Sequence, residues 1–581
     1  MRWLITLAIV ALVVGACAPS DPGPGLDLPR VMAHVDHLTS IGPRPQDSDG
    51  SRAAAGYIED ELDRLGLDVK RAAVGTVDLP EIRVLGSVHR EARSVTTTDP
   101  NLVVRFGQEG DALLVMAHYD TVRGSPGAID NAVAVALLLD LARVLRDEPL
   151  AQPVLLAFTA NEEIGLAGAE ALAAQRDDVA FAVSLDLVGG DGALTLNGAS
   201  ELIGRAELAW LANAAGRAGV TVSAPLAHRV ISRWWPQAER SDHGPFTRRG
   251  IRAVHFYHRG NDGEWIDLAY HSPRDVAARI SRDSVDEMGR FLRALVAAPV
   301  PAHAGDGFWL PFAANTVVPR LALIVFELAL IVVVIGALVL SREGLVAWLS
   351  HARRDNADRP RGPGLLAGIG CYAAAVGVAI AIERALAGAH PAPWLHDPLH
   401  ALVAQLSIIV GVFGLATRAV ARIRPWTGTH RYLVLAAIVP AIIGALLLAI
   451  GAAELAWIWL VPAAALALAP RLGRAKLVAI VLAVLPIACV LHPYQLREAA
   501  YNGFLPVSLP LSVWVGTLAT SLVAATSWWL CRRPRAGPLG TLVLGVGCGL
   551  AVIFGLVFAV AVDVSCTPAK FESFNLTCER V

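Results

Sequence analysis

Between Asp21 and Pro301 the sequence has no cysteine, so a metal bound there must use histidine and carboxylate ligands, and a thiolate zinc finger is excluded. Long blocks of like charge are also missing and the formal net charge is −2. No basic arm for nucleic acid is present, and nucleic acid is set aside as a partner. Apolar residues, by contrast, are in excess. Of 581 residues, 55% are hydrophobic and 17% charged, too apolar for an ordinary soluble protein and too long for one domain. The seven cysteines follow a division into soluble and membrane parts. Cys17 ends the first apolar run, Cys371, Cys489, Cys531 and Cys548 lie in later apolar stretches, and Cys566 and Cys578 lie in the final tail.

The first segment, MRWLITLAIVALVVGAC, has one Arg, an apolar core and small residues before Cys17, the layout of an export signal. Val14-Gly15-Ala16-Cys17 resembles a bacterial lipobox, in which the cysteine is lipidated after cleavage; the alternative is an uncleaved signal anchor with an incidental cysteine. Either exports the domain that begins at Asp21. Residues 1–20 are thus expected to be a signal, 21–298 a soluble domain, 299–318 a Pro/Gly-bearing linker whose aromatics suit a membrane interface, 319–562 a membrane domain, and 563–581 an extracytoplasmic tail.

Eight apolar stretches of near-spanning length recur in the membrane part: 319–340, 365–387, 398–417, 432–452, 455–469, 477–491, 507–530 and 539–562. The fifth and sixth are short, and reading them as a re-entrant pair leaves the sidedness of the rest unchanged. Arginine and lysine gather in alternate loops: Arg342, Arg353, Arg354, Arg359 and Arg361; Arg418, Arg422, Arg424 and Arg431; Arg471, Arg474 and Lys476; Arg532, Arg533 and Arg535. Positive charge concentrates on the cytoplasmic side. The alternation therefore predicts an all-α polytopic domain with the soluble domain and the tail both outside the cytoplasm, at the cell membrane, in contact with membrane lipid.

Short apolar runs at 112–117, 154–159, 180–187 and 253–257 read as buried strands, and amphipathic patterns at 50–65, 131–146, 165–175, 201–218 and 284–297 as helices. Their alternation predicts an α/β domain. The first strand ends in Met116-Ala117-His118-Tyr119-Asp120, with Pro126-Gly127-Ala128-Ile129-Asp130-Asn131 at the head of the next helix. The second ends in Asn161-Glu162-Glu163, the third contains Asp186, and Tyr270-His271-Ser272 comes after the fourth. The carboxyl ends of parallel strands converge on one crevice, so polar groups recurring there are candidates for one site. Histidines and carboxylates so placed suit a pair of zinc ions, with one carboxylate bridging. Singly each feature is weak: a histidine after a strand is commonly structural, Glu162-Glu163 could be a solvated helix start, and an Asp before a helix is ordinarily a cap. Their joint order is what carries weight.

These stretches, AHYDTV, PGAIDNA, EEIGLAGAE, LDLVG, SDHGPF and YHSPRD, resemble the co-catalytic zinc aminopeptidases of peptidase family M-twenty-eight, which also includes glutamate carboxypeptidases and the related glutaminyl cyclases. The resemblance covers about residues 26–295. It implies a zinc-exopeptidase fold, a mixed, largely parallel sheet sandwiched by helices. It also implies two Zn2+ ions, with His118 and Glu163 on one, Asp186 and His271 on the other, and Asp130 on both. Glu162 would be the general base acting on metal-activated water, Asp120 would accept a hydrogen bond from the far nitrogen of His118, and Tyr270 would polarise the scissile carbonyl or simply pack. His243 would line the substrate side or lie at the surface.

Departures from the family pattern are Ala132-Val133-Ala134 where a Ser-Gly pair is usual, which puts the packing of the helix behind Asp130 in doubt, and Ser272 where Thr is usual. A signal, an exported peptidase domain and many spans together look like the endoplasmic reticulum metallopeptidase and vacuolar membrane protease branch. The implied activity is removal of amino-terminal residues from a peptide substrate. A glutaminyl cyclase, a carboxypeptidase with Arg233, Arg240 or Arg259 on the substrate carboxylate, and a non-enzymatic receptor are the alternatives. For the membrane half, Glu327 is the one charge well inside a span, whereas Glu383, Arg384 and Glu454 sit near ends, within reach of headgroups, which favours an anchor over a transporter.

Overall fold

The computed structural model describes residues 24–84, 87–198, 202–224, 229–230, 241–258, 269–310, 315–340, 371, 373–382, 404–405, 408–409, 411–413, 415–416, 437–468, 564–568 and 576–580. The chain divides into two compact units, Met1–Arg320 and Leu321–Val581. In chain order the first contains α1 (Leu28–Ser40), α2 (Asp49–Arg64), β1 (Val69–Leu79), β2 (Ile82–Val84), β3 (Ser87–Arg90), β4 (Arg93–Phe106), β5 (Ala112–His118), α3 (Val133–Asp147) and β6 (Val154–Thr159). It continues with α4 (Ala167–Gln175), β7 (Val179–Leu185), β8 (Leu194–Asn197), α5 (Arg205–Ala218), β9 (Val222–Ser223), α6 (His243–Arg248), β10 (Ala253–His258), α7 (Arg282–Val296), β11 (Gly307–Trp309) and β12 (Val317–Pro319).

Eight strands form one mixed sheet in the order β1-β4-β6-β5-β7-β10-β8-β9. The middle, β6-β5-β7-β10, is parallel, and antiparallel pairings flank it on both sides. Strands β5 (ALLVMAH) and β6 (VLLAFT) are buried along their whole length, as a strand covered on both faces must be. Their pleat sends alternate residues to opposite layers. Val115 and Leu156 pack with Leu138 of α3 and Phe291 of α7, whereas Leu114, Met116 and Leu155 pack with Leu172 of α4 and Phe246 of α6. Two of the helices start at a capping serine: Ser48 accepts from the Ser51 amide at the head of α2, and Ser281 from that of Ser284 at the head of α7. The four predicted strands and five predicted helices are all present, β6 with the predicted bounds and the others with shifted ends. The sequence reading missed α1, α6, the sheet strands β1, β4, β8 and β9, and the short strands β2, β3, β11 and β12.

The stretch 299–318 differs from a free linker. Strands β11 and β12 pair, and Phe308 and Trp309 are each 4% exposed. These two aromatics are part of the unit's own packing and do not form a membrane-interface anchor, because Trp309 joins the main apolar core.

The second unit contains α8 (Arg320–Leu340), α9 (Ala373–Ile382), α10 (Ile438–Ala449), α11 (Ala453–Leu468), β13 (Val564–Pro568) and β14 (Leu576–Arg580). Among the described residues one helix, over Arg320–Val339, is long and apolar enough to cross a membrane. It exposes Leu321, Val325, Val332 and Val339 to more than half of their surface, a continuous apolar face that suits lipid and not water. Helices α10 and α11 pack through Gly444, where a Cβ would stand 2.5 Å from Leu460. Glu454 is 2% exposed at the head of α11, so it is held inside the protein and does not reach for headgroups; Glu327 is fully buried. The predicted signal with Cys17, the spans at 477–491, 507–530 and 539–562, and the arginine-rich loops lie outside the described residues.

In the tail, β13 and β14 pair antiparallel with Cys566 directly opposite Cys578. Directly opposed residues have Cα spacings near 4.5–5.5 Å, inside the range a disulfide needs. An oxidised pair is expected if this tail is exported. Maleimide labelling of Cys566 and Cys578 on the intact, unreduced protein should be negligible and should rise after reduction; equal labelling in both states would rule out the bond.

Candidate active site

The parallel strands deliver the candidate residues to one place. His118 is the last residue of β5, Glu162 and Glu163 lie just past β6, and Asp186 directly succeeds β7. Asp130 sits in a single wide turn, Ala128–Ala132, that leads into α3, and the peptide bond between Asp130 and Asn131 is cis. His271 lies in the turn after β10. Several of these positions hold left-handed backbone that side chains disfavour: Asn161 before Glu162 (φ 59°), Leu187 after Asp186 (φ 55°) and His271 itself (φ 54°). Such conformations persist only where surrounding structure over-determines them, and they gather at functional sites.

The geometry centres on Asp130. Its Oδ1 stands 3.2 Å from His118 Nε2 and its Oδ2 stands 3.2 Å from His271 Nε2. His118 Nε2 is also 3.4 Å from Asp186 Oδ1, and His271 Nε2 is 2.9 Å from Glu163 Oε2. Two groups able to hold a cation result, His118-Asp130-Asp186 and Asp130-Glu163-His271, sharing Asp130. This corrects the pairing implied by the sequence: His118 goes with Asp186, and Glu163 with His271. The reason is sheet order. Neighbouring β5 and β7 bring His118 and Asp186 together, whereas Glu163 and His271 reach Asp130 from its other oxygen.

Both imidazoles are set by their carboxylates. Burial works to lower the pKa of His118, but Asp120, Asp130 and Asp186 outweigh it and push the group well above its usual value. His271 is likewise opposed by burial yet raised to about 10 by Glu163 and Asp130. Burial tends to raise Asp130, and the two histidines instead hold it below the usual carboxylate range. Burial lifts Glu163 to about 7, although His271 opposes the change. Glu162 is raised well above the ordinary range by burial first, with Asp186, Glu163 and Asp242 adding to it. So many carboxylates in one buried pocket are costly unless cations compensate them.

Divalent cations fit this donor set on the structure's own terms. Imidazole nitrogens and carboxylate oxygens are zinc ligands, and Glu163 Oε1 is buried with no hydrogen-bond partner. Asn131 secures the bridge from behind, its amide donating to the Leu185 carbonyl at 2.8 Å. The substituted Ala132-Val133-Ala134 leaves packing intact, since all three are fully buried in the core. Ser272 closes its turn through a bond to the Ala269 carbonyl at 2.9 Å.

Asp120 does more than the expected job. Its carboxylate is 3.5 Å from His118 Nδ1, and its own backbone carbonyl is nearer, at 3.1 Å. The carboxylate oxygens accept from the backbone amides of Glu162 (3.1 Å) and Glu163 (3.2 Å), so Asp120 ties the β5 loop to the β6 loop. Tyr270 stacks on His271 with ring centroids 3.7 Å apart. His243 is 1% exposed and stacks on His255 at 5.4 Å, so it is an interior residue. Arg233, Arg240 and Arg259 lie outside the described residues.

Three residues that the sequence reading missed stand close to the site. Asp242, in SDHGPF, accepts from the Thr159 hydroxyl and is raised to about 6, chiefly by burial. Asp275, which ends YHSPRD, accepts from the amides of Ile129 (2.8 Å) and Asp130 (3.1 Å). Arg44 is a fully buried guanidinium, which burial pulls down to about 10 and which stays protonated at neutral pH. The motif letters of Asp242 and Asp275 were visible; nothing in the sequence around Arg44 marked it as more than a loop residue.

The fold and the paired groups define a two-cation site at the carboxyl ends of parallel strands. Residues 101–296 match the profile of Peptidase family M28. Aminopeptidase YwaD of Bacillus subtilis is 30% identical over 198 residues, covering 32% of this chain and 40% of the relative. Endoplasmic reticulum metallopeptidase 1 of Mus musculus is 27% identical over 172 residues (28% and 19%), and a vacuolar membrane protease of Clavispora lusitaniae 29% over 197 residues (32% and 17%). The matched part thus spans less than half the length of each of these relatives. Among solved structures, an aminopeptidase from Aneurinibacillus sp. strain AM-1 is 17% identical with a TM-score of 0.38, covering 48% of this chain and 97% of that one.

Proposed function

We propose that the protein is a zinc-dependent metallopeptidase, an aminopeptidase that hydrolyses amino-terminal residues from peptides outside the cytoplasm. The observation that carries this reading is Asp130 directing one oxygen to each of two cation-ligand groups. His118 and Asp186 would hold one zinc, Glu163 and His271 the other, and Asp130 both. Zinc there would supply Lewis-acid polarisation of the substrate carbonyl and bring the pKa of a water towards neutrality. Glu162, whose proton affinity burial raises, accepts a proton and returns it to the leaving amine. Asp120 fixes the backbone that carries Glu162 and Glu163, and Tyr270, stacked on His271, would donate a hydrogen bond to the carbonyl oxygen. The relatives named aminopeptidase and metallopeptidase support this assignment. Zinc content measured on the full chain, with a screen of amino-acyl anilides and glutaminyl peptides, tests it. Release of free amino acids is expected; pyroglutamate as sole product would mark a cyclase, and absence of both zinc and turnover a receptor.

The membrane half serves as an anchor, a reading supported by the apolar face of α8 and by the relative named a vacuolar membrane protease. The alternating arginine-rich loops put the peptidase unit and the carboxyl tail on the same, non-cytoplasmic side. A reporter active only in the cytoplasm should be silent after Val581 and give signal after Arg354. The opposite pattern would overturn the topology and the claim that exported peptides are the substrate.

A further inference from the structure

Arg44 is 1% exposed, yet no carboxylate takes its guanidinium in an ion pair among the described residues; it is spent on backbone carbonyls. Its Nε donates to Tyr119 O at 2.8 Å, Nη1 to Pro126 O at 2.7 Å, Leu38 O at 3.1 Å and Gly42 O at 3.3 Å, and Nη2 to Gly127 O at 3.1 Å. Its backbone joins the same loop: the Arg44 amide donates to the Thr121 hydroxyl at 2.8 Å, and the Thr121 amide to Arg44 O at 3.2 Å. Tyr119 is next to His118, and Gly127 opens the turn that carries Asp130. One planar fork therefore binds the loops of two candidate cation ligands to each other.

Asp275 holds the same turn from the opposite end. Besides the amides of Ile129 and Asp130 on its two carboxylate oxygens, its carbonyl accepts from the Ala128 amide at 3.2 Å. It lies four positions after His271. The turn has no slack: a Cβ on Gly127, where φ is 61°, would stand 2.4 Å from Asp130 O and 2.9 Å from Arg44 Nη2.

We propose that Arg44 and Asp275 are positioning residues that set the spacing of His118, Asp130 and His271, and through it the affinity of both cations. The inference rests on the reading of these residues as metal ligands. A bridging carboxylate serves two ions only if each oxygen stays aimed at its own histidine, so an error in the backbone at 127–130 reaches both groups at once. Lysine cannot replace the fork, because its three protons sit on one nitrogen and cannot reach carbonyls spread around the guanidinium plane. Outer-shell partners of metal ligands commonly change affinity about 10- to 100-fold.

The test is a zinc titration of the metal-stripped full chain in detergent against a competing chelator, with circular dichroism and melting recorded on the same samples. Wild type should take up two ions; Arg44→Lys should bind both at least about tenfold more weakly while keeping its secondary structure. Should Arg44→Lys fail to fold, Asp275→Asn, which keeps the shape but sets an NH2 donor against one of the Ile129 and Asp130 amides, should show the same loss. Glu207→Gln is the control for simple destabilisation, since that buried carboxylate pairs with Arg252 and His303, away from the five ligands. Folded variants at both positions that bind two zincs as wild type does would overturn the positioning role and leave the metal site standing. Equal loss of zinc in Glu207→Gln would reduce the role to general stability, and no uptake by wild type would sink the metal site itself.

Discussion

Glu162→Gln is expected to lower turnover by about 10²- to 10⁴-fold with both zincs retained. Glu162 belongs to neither cation group, so the amide should leave the ligand set alone. What it removes is a buried carboxylate with an unusually high proton affinity, held up by burial and by Asp186, Glu163 and Asp242. Its backbone amide is fixed by Asp120, which also receives the Glu163 amide; the change therefore leaves the neighbouring ligand where it was. Steady-state kinetics with metal analysis on the same preparation decide the matter. Loss of zinc along with activity would show that Glu162 is a ligand, and full activity would remove it from the mechanism.

The central strands were legible in the sequence because a strand buried on both faces must be an unbroken apolar run, as ALLVMAH and VLLAFT are. Strands β1 and β4 were not, for the converse reason. They lie towards the edge of the sheet, β1 and the first half of β4 are largely uncovered, and β4 includes Thr96, Thr97, Thr98 and Pro100, which read as loop. The five candidate ligands were legible from strand ends and motif order, but their partition between two cations was not. That partition depends on β5 lying next to β7, with β6 on its other side, and strand order is not written in any local stretch. Arg44 was invisible for a related reason: its partners at Leu38, Tyr119 and Pro126 come from separate segments that only the fold brings to one point. Trp309 looked like an interface anchor by composition, and its place in the core results from the pairing of β11 with β12.

Asp130→Ala is expected to cost both zincs, whereas removal of any other single ligand should weaken mainly one. The asymmetry arises from the two oxygens of Asp130, one 3.2 Å from His118 and the other 3.2 Å from His271. Deleting them leaves His118 with Asp186 and His271 with Glu163, two incomplete pairs without a shared anion. It also removes the carboxylate that both imidazoles face, so cation–cation repulsion would go unscreened between them. The same geometry ranks the remaining variants. His118→Ala and Asp186→Ala should resemble each other in zinc stoichiometry, and Glu163→Ala and His271→Ala should form a second matching set. Metal analysis of the five variants after dialysis against a weak chelator gives the comparison directly. If His118→Ala instead matched Glu163→Ala, the partition would track the order of motifs along the chain and not the sheet. If Asp130→Ala kept two zincs and full activity, the bridge would be refuted, and with it the observation on which the metallopeptidase assignment rests.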